Sequence, residues 1–329
     1  MLRIILLFAV SHYCINYQKT IKQQIMKQNI IIILFILLFS TTNTKACEVC
    51  GCGGSNTYLG LLPDFKTKFI GVRYQYMNYN TVMEMDASQF SHNYYNTTEL
   101  WGGVNIGRKW KILGFVPFHF NKQIDDDGIT TNNGLGDITF LANYKLWDKI
   151  SVKGNSGISQ QLWIGGGIKL PTGKFDVDVK DPAITVADVN SQLGTGSFDF
   201  LWNVMYTVKM GNWGINSTIN YKTNTDKEGY KFGNKFTANS IVYYKIPQKN
   251  RWSISPNAGL LYEHTAQNTL GGTAIDATGG YIANVLGGVE IGNHKISFGI
   301  SAQLPFSQHN ANGQTKLEWR GNGHITFAL

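Results

Sequence analysis

Residues 213–222 read Trp-Gly-Ile-Asn-Ser-Thr-Ile-Asn-Tyr-Lys. Trp213, Ile215, Ile219 and Tyr221 fall on one face, and Asn216, Thr218, Asn220 and Lys222 on the other. A period of two means a β-strand with one apolar and one polar side. The alternation returns at 137–146, where Ile138, Phe140, Ala142, Tyr144 and Leu146 oppose Asp137, Thr139, Asn143 and Lys145. At 296–306, Ile296, Phe298, Ile300, Ala302, Leu304 and Phe306 oppose Ser297, Ser301 and Gln303. In the last segment Leu317, Trp319, Ile325, Phe327 and Leu329 oppose Lys316, Glu318, Arg320, Asn322, His324 and Thr326.

Outward from these, twelve such segments are expected, near 67–78, 97–107, 110–121, 136–147, 160–170, 196–208, 212–222, 235–245, 252–263, 280–291, 295–306 and 315–329. The second, third and fifth are diluted by Gly, and the third carries Pro117. Each is about the length of a tilted membrane-spanning strand, roughly 9–11 residues. Short turns are expected at Arg108-Lys109, 209–211, 247–251 and 292–294, with 148–159 too long for the rule. Polar, Gly-rich loops fall at 79–96, 122–135, 171–195, 223–234, 264–279 and 307–314. Short turns at one end, long loops at the other and an even strand count predict an all-β, antiparallel transmembrane β-barrel of about twelve strands over 65–329. Its termini would lie on the short-turn, periplasmic side of the outer membrane.

A secreted soluble β-sandwich would alternate too. Against it, aromatics gather at segment ends (Tyr74, Tyr76, Tyr144, Trp147, Trp213, Tyr221, Tyr243, Tyr244, Trp252, Tyr262), as interfacial girdles do. The chain also closes on the alternating strand Ile325-Thr326-Phe327-Ala328-Leu329, the kind of terminus that barrel assembly machinery recognises.

Composition agrees. The 329 residues are 43% hydrophobic and 13% aromatic but only 15% charged, with 36 Gly against 7 Pro, which fits neither disorder nor a helical bundle. The net charge of +8 sits mostly in residues 1–46, with Arg3, Lys19, Lys22, Lys27 and Lys45 and no acid. The other 24 basic residues face 21 acidic ones and are scattered, so no nucleic-acid surface is implied. Met26-Lys27, the apolar run Ile30–Phe39 and Thr44-Lys45-Ala46 before Cys47 form the three parts of a signal peptide over 26–46. Residues 1–25 read as an upstream, untranslated extension.

Segment 47–64 is rich in Cys and Gly. Cys47, Cys50 and Cys52 can hold Cu(I) or Zn, form a local disulfide with one spare thiol, or leave Cys47 acylated; a tetrahedral site needs a fourth ligand, and no His is nearby. No His-x-Ser pair stands on a strand beside the scattered histidines, so no catalytic residues and no enzyme are expected. Asp125-Asp126-Asp127-Gly128 lacks the third oxygen of a calcium loop, because Ile129 stands there.

Three motifs carry a resemblance: Gly134-Leu-Gly-Asp-Ile138, Gly167-Ile-Lys-Leu-Pro-Thr-Gly173 and Gly194-Thr-Gly-Ser-Phe-Asp199. With them the chain resembles a family of outer-membrane proteins named for the phenol-degradation meta pathway and labelled simply transporter. The Cys-Glu-Val-Cys-Gly-Cys start resembles a Bacteroidota branch of it. The resemblance implies passage of small, apolar or aromatic molecules, no agreed substrate and no catalytic residues. Read physically, Pro171 ends the fifth strand and Gly173 turns the chain, while the motif at 194–199 lets it re-enter the wall.

Following the polar face inward gives the expected pore lining: Arg73, Gln75, Glu99, Asp137, Asn143, Lys145, Lys169, Asp199, Asn220, Lys222, Lys245, Glu263, Glu290, Glu318, Arg320 and His324. Mixed signs suit internal ion pairs and offer no single-sign selectivity ring. A twelve-strand lumen is expected to be narrow or plugged, with 47–64 the candidate plug. The expected function is an outer-membrane channel or passive transporter for small solutes, in contact with outer-membrane lipid and without a cofactor. The alternative is a metal-handling (Cu or Zn) or structural outer-membrane protein acting through Cys47, Cys50 and Cys52.

Overall fold

The computed structural model describes residues 68–82, 90–125, 128–153, 156–176 and 191–329. The expectations for 1–46 and for the cysteine segment lie outside these residues. Twelve long strands make the wall. They are β1 (Lys68–Val82), β2 (Phe90–Ile106), β3 (Trp110–Asp125), β4 (Thr139–Lys153), β5 (Ser156–Lys169) and β6 (Asp199–Met210). Then follow β7 (Trp213–Asn224), β8 (Lys235–Tyr244), β9 (Ser253–Thr265), β10 (Gly280–Gly292), β11 (Ile296–Asn310) and β12 (Thr315–Ala328). Each pairs antiparallel with its chain neighbours, and β1 pairs with β12 from Phe69↔Ala328 to Thr81↔Thr315. The ring therefore closes, and none of its twelve described strands is an edge.

Every expected segment becomes a strand of this ring, and most run further than expected. β2 begins at Phe90 instead of 97. Within 122–135, expected as a loop, the described residues extend the wall, and Gly128–Leu135 pairs antiparallel with Phe118–Asp125. The ladder between β3 and β4 breaks beside Pro117, where only Gly136 N–H donates to the Pro117 carbonyl, at 2.9 Å. A proline belongs at such a break because it has no N–H to offer a ladder. Residues 148–153 and 156–159 of the long link are strand too, with Lys153 paired to Ser156. The remaining short turns are tight; Gly107 and Gly211 take positive φ of 61° and 58° there.

The two faces differ in kind. Ile70, Val72, Leu100, Ile112, Phe140, Val204, Ile215, Ile219, Val285, Ile300 and Leu304 point outward and are exposed. Aromatic pairs ring both ends of that belt. Trp110–Tyr144 (5.0 Å) and Trp213–Tyr244 (4.8 Å) lie on the short-turn side, and Tyr76–Trp319 (4.7 Å) and Phe118–Phe120 (5.0 Å) on the long-loop side. Tyr243, expected in a girdle, is on the inner face instead: a Cβ at its pair partner Gly214 would lie 2.1 Å from the Tyr243 Cζ. Adjacent residues of a regular, unbulged strand fall on opposite sides, so Tyr243 and Tyr244 divide between them.

The long-loop end is built up further. Residues 226–227, 230–231, 269–270 and 273–274 form a small four-stranded sheet joining the β7–β8 and β9–β10 loops. Asn268 is buried there; its amide N–H donates to the Tyr230 hydroxyl at 2.8 Å, and its Oδ1 accepts from Gly233 N–H at 2.8 Å. Phe232 packs against Tyr230 and against Phe175 of the β5–β6 loop, at 5.0 and 6.1 Å between ring centroids.

Candidate functional site

The interior of the ring is the candidate site. Its residues alternate with the outward belt, and the contacts that cross non-adjacent strands prove the side: Arg320 of β12 reaches Glu263 of β9 at 2.9 Å.

The three glycine-rich motifs meet at Lys169. This side chain is 1% exposed and its Nζ lies 2.6 Å from Asp137 Oδ2, 2.6 Å from Asp199 Oδ2 and 2.5 Å from Thr195 Oγ1. Asp137 Oδ1 accepts from Gly173 N–H at 2.9 Å, and its Oδ2 accepts from Thr195 N–H at 2.9 Å. Ser197 Oγ donates to Asp199 Oδ1 at 3.1 Å, and Lys222 Nζ stands 4.0 Å from Asp199 Oδ2. Glycine is needed because a Cβ at Gly194 would come 2.4 Å from Asp137 Oδ1, and one at Gly173 2.7 Å from the Leu193 carbonyl oxygen. The motifs thus tie the β5–β6 loop to the inner rim. Paired and hydrogen-bonded charges of this kind tolerate burial, whereas lone ones do not.

A second network lies on the facing wall. Arg320, 1% exposed, donates to Glu263 Oε2 at 2.9 Å, to Gln303 Oε1 at 3.2 Å and to the Tyr79 hydroxyl at 3.4 Å. Lys235 Nζ is 3.1 Å from Glu263 Oε1. Arg73 forms an ion pair with Glu99, and its guanidinium lies 5.5 Å from the Trp101 ring and 5.7 Å from that of Phe115. His324 Nε2 is 2.8 Å from Glu290 Oε1, with Trp101 edge-on at 6.1 Å. Gln75 donates to Asn322 at 3.0 Å, and Asn143 and Asn220 are buried on the same face.

Two expected lining residues are elsewhere. Glu318 is the extra residue of a β-bulge: Asn78 pairs with Trp319 and Tyr79 with Leu317, so Glu318 is skipped and turns outward, accepting from Asn80 Nδ2 at 3.0 Å. The same bulge puts Leu317, expected outside, within the barrel, where it is buried. Lys245 follows the end of β8 and is exposed at the short-turn rim. Lys145 is inward near that rim, 2.8 Å from Asp148 and 4.9 Å from the Trp163 ring.

The sequence reading also missed an apolar strip on the inner wall. Phe69, Trp101, Leu113, Phe115, Leu141, Trp163, Leu201 and Met205 are buried together across β1–β6. The signal was present but masked, because stretches such as Ile112-Leu113-Gly114-Phe115-Val116 are apolar on both faces. Lys111 and Asn203 belong to this region and were passed over for the same reason.

A closed antiparallel ring, apolar outside between aromatic girdles and ion-paired inside, defines an outer-membrane β-barrel. The chain belongs to the family described as putative MetA-pathway of phenol degradation, whose model matches residues 78–321. Among solved structures it is similar to an outer membrane channel from Pseudomonas putida F1, with a TM-score of 0.57 at 14% identity over 80% of this chain and 95% of that one. It is also similar to the beta domain of the Bordetella autotransporter BrkA, with a TM-score of 0.50 at 9% identity over 80% of this chain and 100% of that one. At such identities the likeness is one of fold. Comparison with curated proteins gives no match.

Proposed function

We propose that this barrel is a passive outer-membrane channel for small solutes, apolar and aromatic ones included. The observation that carries the reading is the two-toned inner wall. A strip of Phe69, Trp101, Leu113, Phe115, Leu141, Trp163, Leu201 and Met205 runs beside ion pairs and amides. The polar side keeps the path wet, so a solute can enter without shedding all its hydration. Passage needs no energy-coupling chemistry, only entry, weak binding and exit. The short-turn rim, which carries the outer ends of β1 and β12, would face the periplasm, and the apolar belt would meet outer-membrane lipid.

The lining candidates in this reading are Arg73, Glu99, Asp137, Lys145, Lys169, Asp199, Lys222, Glu263, Glu290, Arg320 and His324. The test is single-channel conductance of the purified protein in a planar bilayer, with and without residues 47–64. Steady conductance from the intact protein supports the reading, and conductance only after removal makes the cysteine segment a plug. Silence in both overturns the aqueous channel.

A further inference from the structure

The inner wall of β3–β6 holds a patch that neither loop anchoring nor wall closure uses. One register row is Lys111↔Asn143↔Gly165↔Asn203. The next row toward the short turns is Lys145↔Trp163↔Met205. The ammonium groups of Lys111 and Lys145 each lie 4.9 Å from the Trp163 ring centroid, on the same aromatic group. Asp148 Oδ2 lies 2.8 Å from Lys145 Nζ.

Asn143 and Asn203 lean over Gly165 from either side; a Cβ at Gly165 would come 2.1 and 2.4 Å from their Oδ1 atoms. Both side chains are buried, and none of their four amide N and O atoms has a hydrogen-bond partner. Buried amides are ordinarily bonded, so this pair has donors and acceptors that a polar group entering here could satisfy. Since they make no hydrogen bond where they rest, turning from Gly165 toward the axis breaks none. Leu141, Trp163, Leu201 and Met205, each two residues along the same strands, make the buried apolar surroundings.

We propose that this patch binds a small organic carboxylate, its anionic end between Lys111, Lys145 and the amide N–H groups of Asn143 and Asn203. The apolar body lies along Leu141, Trp163, Leu201 and Met205. Two ammonium groups select an anion over a neutral ring, because charge-assisted hydrogen bonds are about twice as strong as neutral ones. The apolar neighbours select an organic acid over an inorganic ion. The proposal deepens the channel reading and rests on it for the route by which the solute arrives.

Equilibrium dialysis of labelled benzoate against the folded, detergent-solubilised protein, near neutral pH, tests it. Saturable binding is expected, weakened about tenfold or more in the Lys111→Gln/Lys145→Gln variant, with benzyl alcohol a poor competitor. Heat-dependent gel mobility reports folding; should the double variant fail to fold, Lys111→Gln alone takes its place. No saturable binding, equal competition by benzyl alcohol, or unchanged binding in the lysine variant overturns the carboxylate site. Bilayer conductance on the same preparation separates the two ideas. Conductance without benzoate binding overturns the site and leaves the channel; benzoate binding without conductance does the reverse.

Discussion

Lys169 illustrates what one residue does in this fold. It is a buried cation facing two buried carboxylates, Asp137 and Asp199, each at 2.6 Å. Replacing it with Met leaves those acids close together, with only Lys222, 4.0 Å from Asp199, to offset them. Lys169→Met is therefore expected to destabilise the barrel by about 3–5 kcal/mol, read as a lowered midpoint of the heat-induced gel-mobility shift. Adding Asp137→Asn and Asp199→Asn should recover most of the loss; a triple variant as unstable as the single one would show that charge is not the cause. The inward placement of these three residues was legible because alternation assigns a face to each position. Thr195 and Ser197 were not, since the link between motifs far apart in sequence arises only when the loop folds back on the wall.

Among the elements, β12 shows where alternation misleads. Its bulge reverses the pattern between Leu317 and Trp319, so the faces of Leu317 and Glu318 are opposite to a regular reading. Deleting Glu318 would remove the bulge and leave Leu317 and Arg320 inward and Trp319 outward. That deletion is expected to cost less than about 1 kcal/mol, whereas deleting Ser301 from the regular part of β11 should abolish folding, as judged by gel mobility. Equal effects would refute the assignment. Strand cores were legible, but strand ends were not. At the start of β2, and in the stretch Gly128–Leu135, the ladder continues where the residues become polar on both faces, so apolar alternation stops before the hydrogen bonds do.

For the whole molecule, the outward belt sets the position in lipid. Ile300, 66% exposed, lies within the lipid-facing run Phe298–Phe306, while Ile150, 73% exposed, lies near the short-turn rim. Ile300→Arg should destabilise the barrel in lipid vesicles by about 2–4 kcal/mol, and Ile150→Arg by about 0–1 kcal/mol, in urea titrations. Equal costs would move the membrane band. The outer belt was legible because lipid demands it on every strand. The inner apolar strip was not, because burial against other side chains makes no comparable demand on a single period.

The seam between β1 and β12 has a consequence in time. Phe69 meets Ala328, so the ring closes only after almost every other strand has been synthesised and placed. Contacts of such separation are entropically late and slow to form. Until then β1 and β12 both present unpaired backbone, and the nascent barrel is a sheet with two adhesive margins. Assembly of this chain is therefore a race between self-closure and pairing with a stranger, and shielding those margins matters more to its yield than the stability of the finished ring.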